Sequence, residues 1–424
     1  MGMLNWYKES DSNQKKTFWA CYAGWALDSY DMQIFSFLLP VIMATWTLTQ
    51  TEVGLIGTVA LVVTALGGWI AGILADRYGR VKILMFTIIW FTFFGVLAGF
   101  AQNYEQLLVA RTLQGLGFGG EWAVGAALMA EAVQAKHKNK AVGFVQSGMA
   151  LGWAASVIVA TVLISALPPE WSWRVVFWTG VIPAFIVIFI RRNVKESKEF
   201  VNDVEKNTAM TERASFVTVF KKQYIRSTIF SSLLVVGLQA ACYAILIWIP
   251  TLMNVRGLSP SSKIVTILIM ALGAFAGFMF TSYLADKIGR KKTLIGMAIL
   301  SWIVTVVYML IAMNEYITLA LGFFVGFSSI GMFAALGPFL SDLFPTHVRT
   351  TGMGFAYNVG KSIGALSVVG VGYLAESVGL ATSIGLFCLT AYALSTISIL
   401  LIKSQQEESA QDVTTNYQFK EVLS

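Results

Sequence analysis

The chain has 424 residues, of which 56% are hydrophobic and only 12% are charged. That is more apolar surface than one soluble core can bury, so the composition excludes an ordinary globular domain and points to a lipid bilayer as the natural solvent. The net charge of +7 is read as membrane topology and contact with anionic lipid rather than as nucleic-acid binding.

A spanning helix needs about 20 mostly apolar residues, because inside lipid only intrahelical bonds satisfy the backbone. Such stretches are predicted at 17–41, 53–75, 83–101, 106–131, 140–166, 172–190, 227–250, 262–285, 293–313, 316–341, 350–375 and 379–402. The expected fold is therefore an all-α membrane protein of twelve transmembrane helices. The first stretch is too long for a cleaved signal peptide and holds Asp28 and Asp31 in its middle, so it stays in the membrane. Residues 1–190 form an amino-terminal six-helix bundle and 227–403 a carboxy-terminal one. Between them 191–226 is too polar for lipid and reads as a cytoplasmic linker, and 404–424 reads as a disordered tail.

Twenty-five of the thirty Lys and Arg fall on one set of segments: the amino terminus, the loops after the even-numbered spans, and the tail. Cytoplasmic loops collect positive charge, which places both termini in the cytoplasm. Cys21, Cys242 and Cys388 lie inside spans at no paired or ligand-like spacing and read as small packing residues. No metal or cofactor site is expected.

The two bundles are predicted to be repeats. Gly72-Ile-Leu-Ala-Asp76-Arg-Tyr-Gly79-Arg80-Val-Lys82-Ile-Leu84 returns 210 positions later as Ser282-Tyr-Leu-Ala-Asp286-Lys-Ile-Gly289-Arg290-Lys-Lys292-Thr-Leu294. The same shift relates Pro40 to Pro250 and His137 to His347. With one inserted residue, Gly143-Phe144-Val-Gln146-Ser147 aligns with Gly354-Phe355-Ala-Tyr357-Asn358.

These paired loops resemble the signature of the major facilitator superfamily, and Arg111-Thr-Leu-Gln114-Gly115 resembles its fourth-helix motif. Leu343-Phe-Pro345-Thr-His-Val-Arg349-Thr-Thr-Gly352, Glu196-Ser197 and Leu27-Asp28-Ser-Tyr-Asp31 are similar to the sugar-porter-related branch that contains aromatic-acid, sialate and other metabolite:proton symporters. The chain's tone also looks like the bacterial cis,cis-muconate carriers of that branch. Ser282 departs from the glycine usual in the second loop, which implies looser packing there. The resemblance implies a monomeric transporter of the bacterial inner membrane, working by alternating access.

Ionisable residues at membrane depth cost at least about 2.5–3.5 kcal/mol each on insertion scales and usually mark a pathway. They are Asp28 and Asp31 in span one, Arg111 and Glu121 in span four, and Lys361 in span eleven. A shift of 210 puts Leu238, Ala241, Leu321 and Gly331 at the positions matching the first four, so the second repeat lacks them. By depth Asp31 is the expected partner of Arg111, and the resemblance implies the same couple. A pair 4 Å apart at an effective dielectric near 20 is worth about 4 kcal/mol, enough to decide whether the carboxyl holds a proton. Asp28, Asp31, Arg111 and Glu121 are the expected proton-coupling set, with Asp31 ionised when paired and protonated when not.

Tyr357, Asn358 and Lys361 share one helix face, and with Gln33, Gln146, Gln239, Tyr243 and Arg111 are expected to line a central cavity. Lys361 has no carboxylate in its own half, which favours an anionic substrate. A small organic acid carried with protons is the expected cargo, with a sugar or sialate as the alternative. A drug:proton antiporter is disfavoured because its glycine- and proline-rich fifth-helix motif is missing. Asp76, Arg80, Asp286 and Arg290 are expected to form an intracellular latch. Catalysis is not expected, since the two histidines lie in loops far from the central charges.

Overall fold

A computed structural model describes residues 5–133, 138–192, 194, 216–310 and 315–402, with the backbone alone for some helical residues, among them Asp76 and Glu121. Most of the expected linker and all of the tail lie outside the described residues. Every regular element described is helical: α1 Asn5–Glu9, α2 Ser12–Trp46, α3 Gln50–Tyr78, α4 Arg80–Gly99, α5 Tyr104–Ala132, α6 Lys138–Gln146, α7 Gly148–Ala166, α8 Pro169–Trp178, α9 Val181–Arg191, α10 Ile225–Val255, α11 Pro260–Ile288, α12 Arg290–Leu310, α13 Glu315–Val325, α14 Phe333–Asp342, α15 Thr346–Gly364, α16 Leu366–Val378 and α17 Leu380–Leu401. A short 3₁₀ helix at Phe216–Phe220 and a π turn at Gly326–Ile330 complete the set. The breaks between α6 and α7 and between α15 and α16 fall at Ser147 and Ala365, which keep right-handed helical dihedrals, so each pair is one bent rod.

Nine helical segments among the described residues are long and apolar enough to cross a bilayer. The three expected spans missing from the nine fall on α2, α5 and α15–α16. Length is not what they lack, since α2 has 35 residues and α5 has 29. They are the helices that carry Asp28 and Asp31, Arg111 and Glu121, and Lys361. Lowered hydropathy and intramembrane charge thus select the same three rods.

Large apolar side chains such as Ile73, Phe86, Phe93, Phe185, Leu272, Ile303 and Leu400 point outward, the inverse of a soluble protein and the arrangement lipid demands. Inside, buried hydroxyls bond to carbonyls of their own helix three or four residues back: Thr64 to Ala60, Ser301 to Met297, Ser328 to Phe324 and Ser395 to Ala391.

Close helix approach follows the repeat. A β-carbon on Gly115 would overlap the Ala60 carbonyl, and one on Gly326 would overlap that of Met270. Gly67 meets Leu116 as Gly277 meets Phe327. Bare backbone lets α3 lie against α5, and α11 against α13 and the π turn, closer than any side chain permits. The shift is 210 on α3 and α11 but 211 on their partners, so the residue inserted in the second repeat precedes Gly326. The counterpart of Arg111 is therefore Gly322, not Leu321; beyond the π turn Gly331 meets Gly277 as Gly119 meets Gly67, a shift of 212, so Glu121 matches Phe333 rather than Gly331, and the charge asymmetry stands. Gly79 and Gly289, which end α3 and α11, share positive φ angles of 109° and 91°, a conformation that excludes most other residues.

Candidate functional site

The helices from 5–191 pack on one another, as do those from 225–401, and the two sets meet along α3–α16, α7–α11 and α2–α10. On α3 the seam can be followed along one helix. Thr51 and Thr58 hydrogen-bond Glu376 and the Ala365 carbonyl at one end, and Gly68 faces the Asn358 amide toward the other. Between these contacts lies a narrow cavity, lined from α3 by Gly57, Ala60, Leu61 and Thr64.

Three charged residues reach it: Asp28 from α2, Arg111 from α5 and Lys361 from α15. Asp28, Met32 and Phe35 follow one another at helical spacing, so one face of α2 forms one wall. Asp28 is 8% exposed and Arg111 is 3% exposed, which removes both from bulk solvent. The charges of Asp28 and Lys361 act on each other across the two sets. Lys361 thus shares the cavity with a carboxylate of the opposite half, a juxtaposition that the repeat alone does not reveal. Tyr243 and Tyr357 lie within electrostatic reach of Asp28, and the Tyr357 hydroxyl shares a hydrogen bond with Gln239.

Arg111 and Asp31 are near enough for their charges to interact, but the guanidinium's hydrogen bond goes elsewhere. Its Nη1 donates to Gln114 Oε1 at 2.5 Å, and its Cζ lies 4.5 Å from the centroid of the Phe35 ring. Asp31 is turned against Gly180, at the junction of α8 and α9, where any side chain would collide with the carboxylate. Its Oδ2 accepts no hydrogen bond among the described residues. Gln114 sits three residues after Arg111 and was readable as its neighbour. Phe35 and Gly180 come from other helices and left no signal in the local pattern.

Other expected lining residues have different surroundings. Gln33 is fully buried, accepts from the Ser36 hydroxyl and does not line this cavity. Gln146 ends α6, where its carbonyl accepts from the Trp25 indole. Asn358 donates to the Gly354 carbonyl and fills the α3–α15 contact. The Glu121 side chain lies outside the described residues.

The expected latch is only partly described, because the Asp76 side chain also lies outside. Arg80 is half-buried and engaged with its surroundings. Arg290 binds Asp342 at 2.7 Å and the Pro338 carbonyl at 2.9 Å, tying α12 to the end of α14 within one set. Asp286 is exposed. Asp342 was not foreseen, since 52 residues separate it from Arg290.

The model of the Major Facilitator Superfamily matches residues 22–369. The chain is 63% identical over 400 residues to a probable 4-methylmuconolactone transporter of Cupriavidus pinatubonensis, covering 94% of this chain and 93% of that one. It is 30% identical to a sialic acid transporter of Escherichia coli, over 94% and 95% of the two chains. Identity to a cis,cis-muconate transport protein of Acinetobacter baylyi is 27%, over 94% and 96%. Among solved structures, a D-xylose-proton symporter superposes with a TM-score of 0.73 at 18% identity, over 91% of this chain and 97% of that one.

Proposed function

The chain belongs to the major facilitator superfamily and is a transporter rather than an enzyme, and from that premise we propose that it imports a small organic acid together with protons by alternating access. The preferred cargo is 4-methylmuconolactone or a close relative, because a carrier of that compound is similar over nearly the whole chain. Such a molecule is an unsaturated lactone bearing one carboxylate. The observation that carries the reading is the cavity between the two helix sets, where Arg111 and Lys361 offer cations to a carboxylate and apolar walls suit the rest of the molecule. A neutral sugar would not use the charge of either cation, which ranks that alternative lower.

In this reading the two sets are six-helix bundles that rock about the cavity in a bacterial inner membrane, with both termini in the cytoplasm. Asp28, Asp31 and Glu121 are the carboxylates available for proton coupling, and Gln239, Tyr243 and Tyr357 hydrogen-bond the cargo beside Lys361. The glycine-rich loops with Asp76, Arg80, Asp286 and Arg290 regulate closure at the cytoplasmic end, with Arg290 bracing its own bundle.

Reconstituted protein under an inside-alkaline pH gradient should accumulate 4-methylmuconolactone uphill, and counterflow with muconic, aromatic and sialic acids should rank it first. Lys361→Ala should weaken uptake about 30-fold or more, the cost of truncating one partner in a buried charged contact being about 2–5 kcal/mol. Unchanged affinity in that variant would remove Lys361 from the binding site.

A further inference from the structure

We infer that the substrate's carboxylate displaces Asp28 from Lys361 and that Asp28 then takes up the cotransported proton, so that cargo and proton exchange places on one lysine. The inference rests on the organic-acid reading above and names the coupling group within it.

The geometry separates two couples of charge. Asp31 is turned onto Gly180 and does not line the cavity, and its cationic neighbour Arg111 lies over Phe35 with a hydrogen bond to Gln114. Asp28 and Lys361 both line the cavity, from α2 and α15, one from each helix set. A ligand entering the cavity therefore meets both members of the second couple but only the cation of the first. Of the other elements around Asp28, α10 brings Tyr243 and α15 brings Tyr357 within electrostatic reach, α5 brings Arg111, and the α3 wall of Gly57, Ala60, Leu61 and Thr64 carries no charge. Tyr243 and Tyr357 are neutral donors that can hold a carboxyl in either protonation state.

The charge count favours the exchange. Among the charged side chains described around the cavity, Asp28 and Asp31 offset Arg111 and Lys361, so these four groups sum to zero before substrate arrives. A monocarboxylate adds one negative charge to a space that tolerates an uncompensated ion poorly. A proton restores the balance, and the carboxylate that has just lost its cation is where that proton gains most. It arrives from water on the side to which the cavity opens, bonds to an Asp28 carboxylate oxygen, and leaves for water on the other side when the substrate departs and Lys361 returns. No covalent bond of the substrate changes. Transport of a monocarboxylate by this route is one-to-one with protons and moves no net charge.

Asp28→Asn tests this in a way that simple damage does not imitate. The neutral side chain leaves the four-residue sum at +1, so the variant can accept the monocarboxylate without a proton, and its cycle becomes electrogenic. In proteoliposomes with radiolabelled 4-methylmuconolactone, the wild type should accumulate under an inside-alkaline gradient and ignore a potential imposed with potassium and valinomycin. Asp28→Asn should lose pH-driven accumulation and respond to an inside-positive potential instead, with about tenfold accumulation for about 59 mV, as expected for one charge. If the variant still accumulates under the pH gradient alone, or exchanges substrate but follows neither gradient, the exchange is wrong. Should it carry nothing, binding in detergent decides. Binding accompanied by proton uptake in the wild type and by none in Asp28→Asn supports the inference, and proton uptake in both, or no binding by the variant, overturns it. A wild type that accumulates no acid from the panel would bring down the transport reading itself, whereas wild-type accumulation with an unaltered Asp28→Asn would remove only the exchange.

Discussion

The helix pair α3–α5 and its repeat, α11 with α13 and the π turn, are held by the same glycine contacts and carry different cargo-facing chemistry. Gly67 on Leu116 and Gly115 on Ala60 recur as Gly277 on Phe327 and Gly326 on Met270. Arg111 and Gln114, by contrast, correspond to Gly322 and Val325. Duplication kept the packing and discarded the charge. Backbone approach is needed in both halves to hold a bundle in lipid, where no hydrophobic force drives helices together. Buried charge is costly wherever it stands, so it persists only where it has a task.

The sharpest way to break that comparison is to make matched substitutions in the two repeats. Arg111→Ala strips the cation from beside Asp31 and from the cavity, and removing one member of a buried pair costs about 3–5 kcal/mol. At about 1.4 kcal/mol per factor of ten, uptake should fall at least a hundredfold. Gly322→Ala, the matching position, places its new methyl 3.3 Å from Cγ of the Met270 side chain and should keep uptake close to wild type. Comparable losses in both variants would mean that the second repeat carries a function its charges do not reveal.

A smaller effect is expected where the repeats agree. Gly115→Leu and Gly326→Leu each drive a side chain into a neighbouring backbone carbonyl, and overpacking of this kind costs about 1–3 kcal/mol or more. Thermal unfolding in detergent should show both variants losing stability by similar amounts. A pair in which only one is destabilised would show that the shared contacts do not contribute equally.

Much of this was legible in the sequence, and what was not has a common cause. The repeat, the positions of the charged rods and the inward faces of α2 and α15 follow from spacing along single helices. Which helix stands opposite a given face does not. Asp28 and Lys361 are 333 positions apart, and they line one cavity because helix packing, set by glycine contacts among others, fixes how closely and at what rotation the rods stand. For the same reason Asp31 could be assigned to Arg111 by depth while its seat on Gly180 stayed hidden. The register error at Leu321 had a simpler origin, since one inserted residue between Leu294 and Gly326 shifts the alignment without disturbing either motif. Asn358 is polar and lies on the expected face, yet its amide bonds the Gly354 carbonyl of its own helix, as polar groups in a span readily do, whereas Gln33 is buried away from the cavity.

The two seams between the helix sets offer the finest comparison. Under the repeat, α3 against α16 corresponds to α11 against α7, with Thr51 and Glu376 matching Ser261 and Ser165. The first seam is clasped: the Glu376 carboxylate accepts from the Thr51 hydroxyl at 2.6 Å and from the Thr51 amide at 3.1 Å, at the first turn of α3. The second is gapped by a cavity lined by Ser165 and Pro260 among others. The hydrogen bonds from Thr51 hold the Glu376 carboxyl below its ordinary value. A carboxyl depressed in this way contributes fully while the pH is above its ordinary value and loses that contribution as the pH falls through the depressed one. Acidification below the usual carboxyl range should therefore loosen the α3–α16 seam and leave α7–α11 as it is. Spin labels at the exposed Gln102 and Val378 should move apart at low pH, and labels at Thr161 and Lys263, across the other seam, should not. Glu376→Gln, which cannot ionise, should widen the first distance at neutral pH and abolish its acid dependence. An acid-driven change that persisted in Glu376→Gln would trace the loosening to another group and leave this clasp without a part in closing the seam.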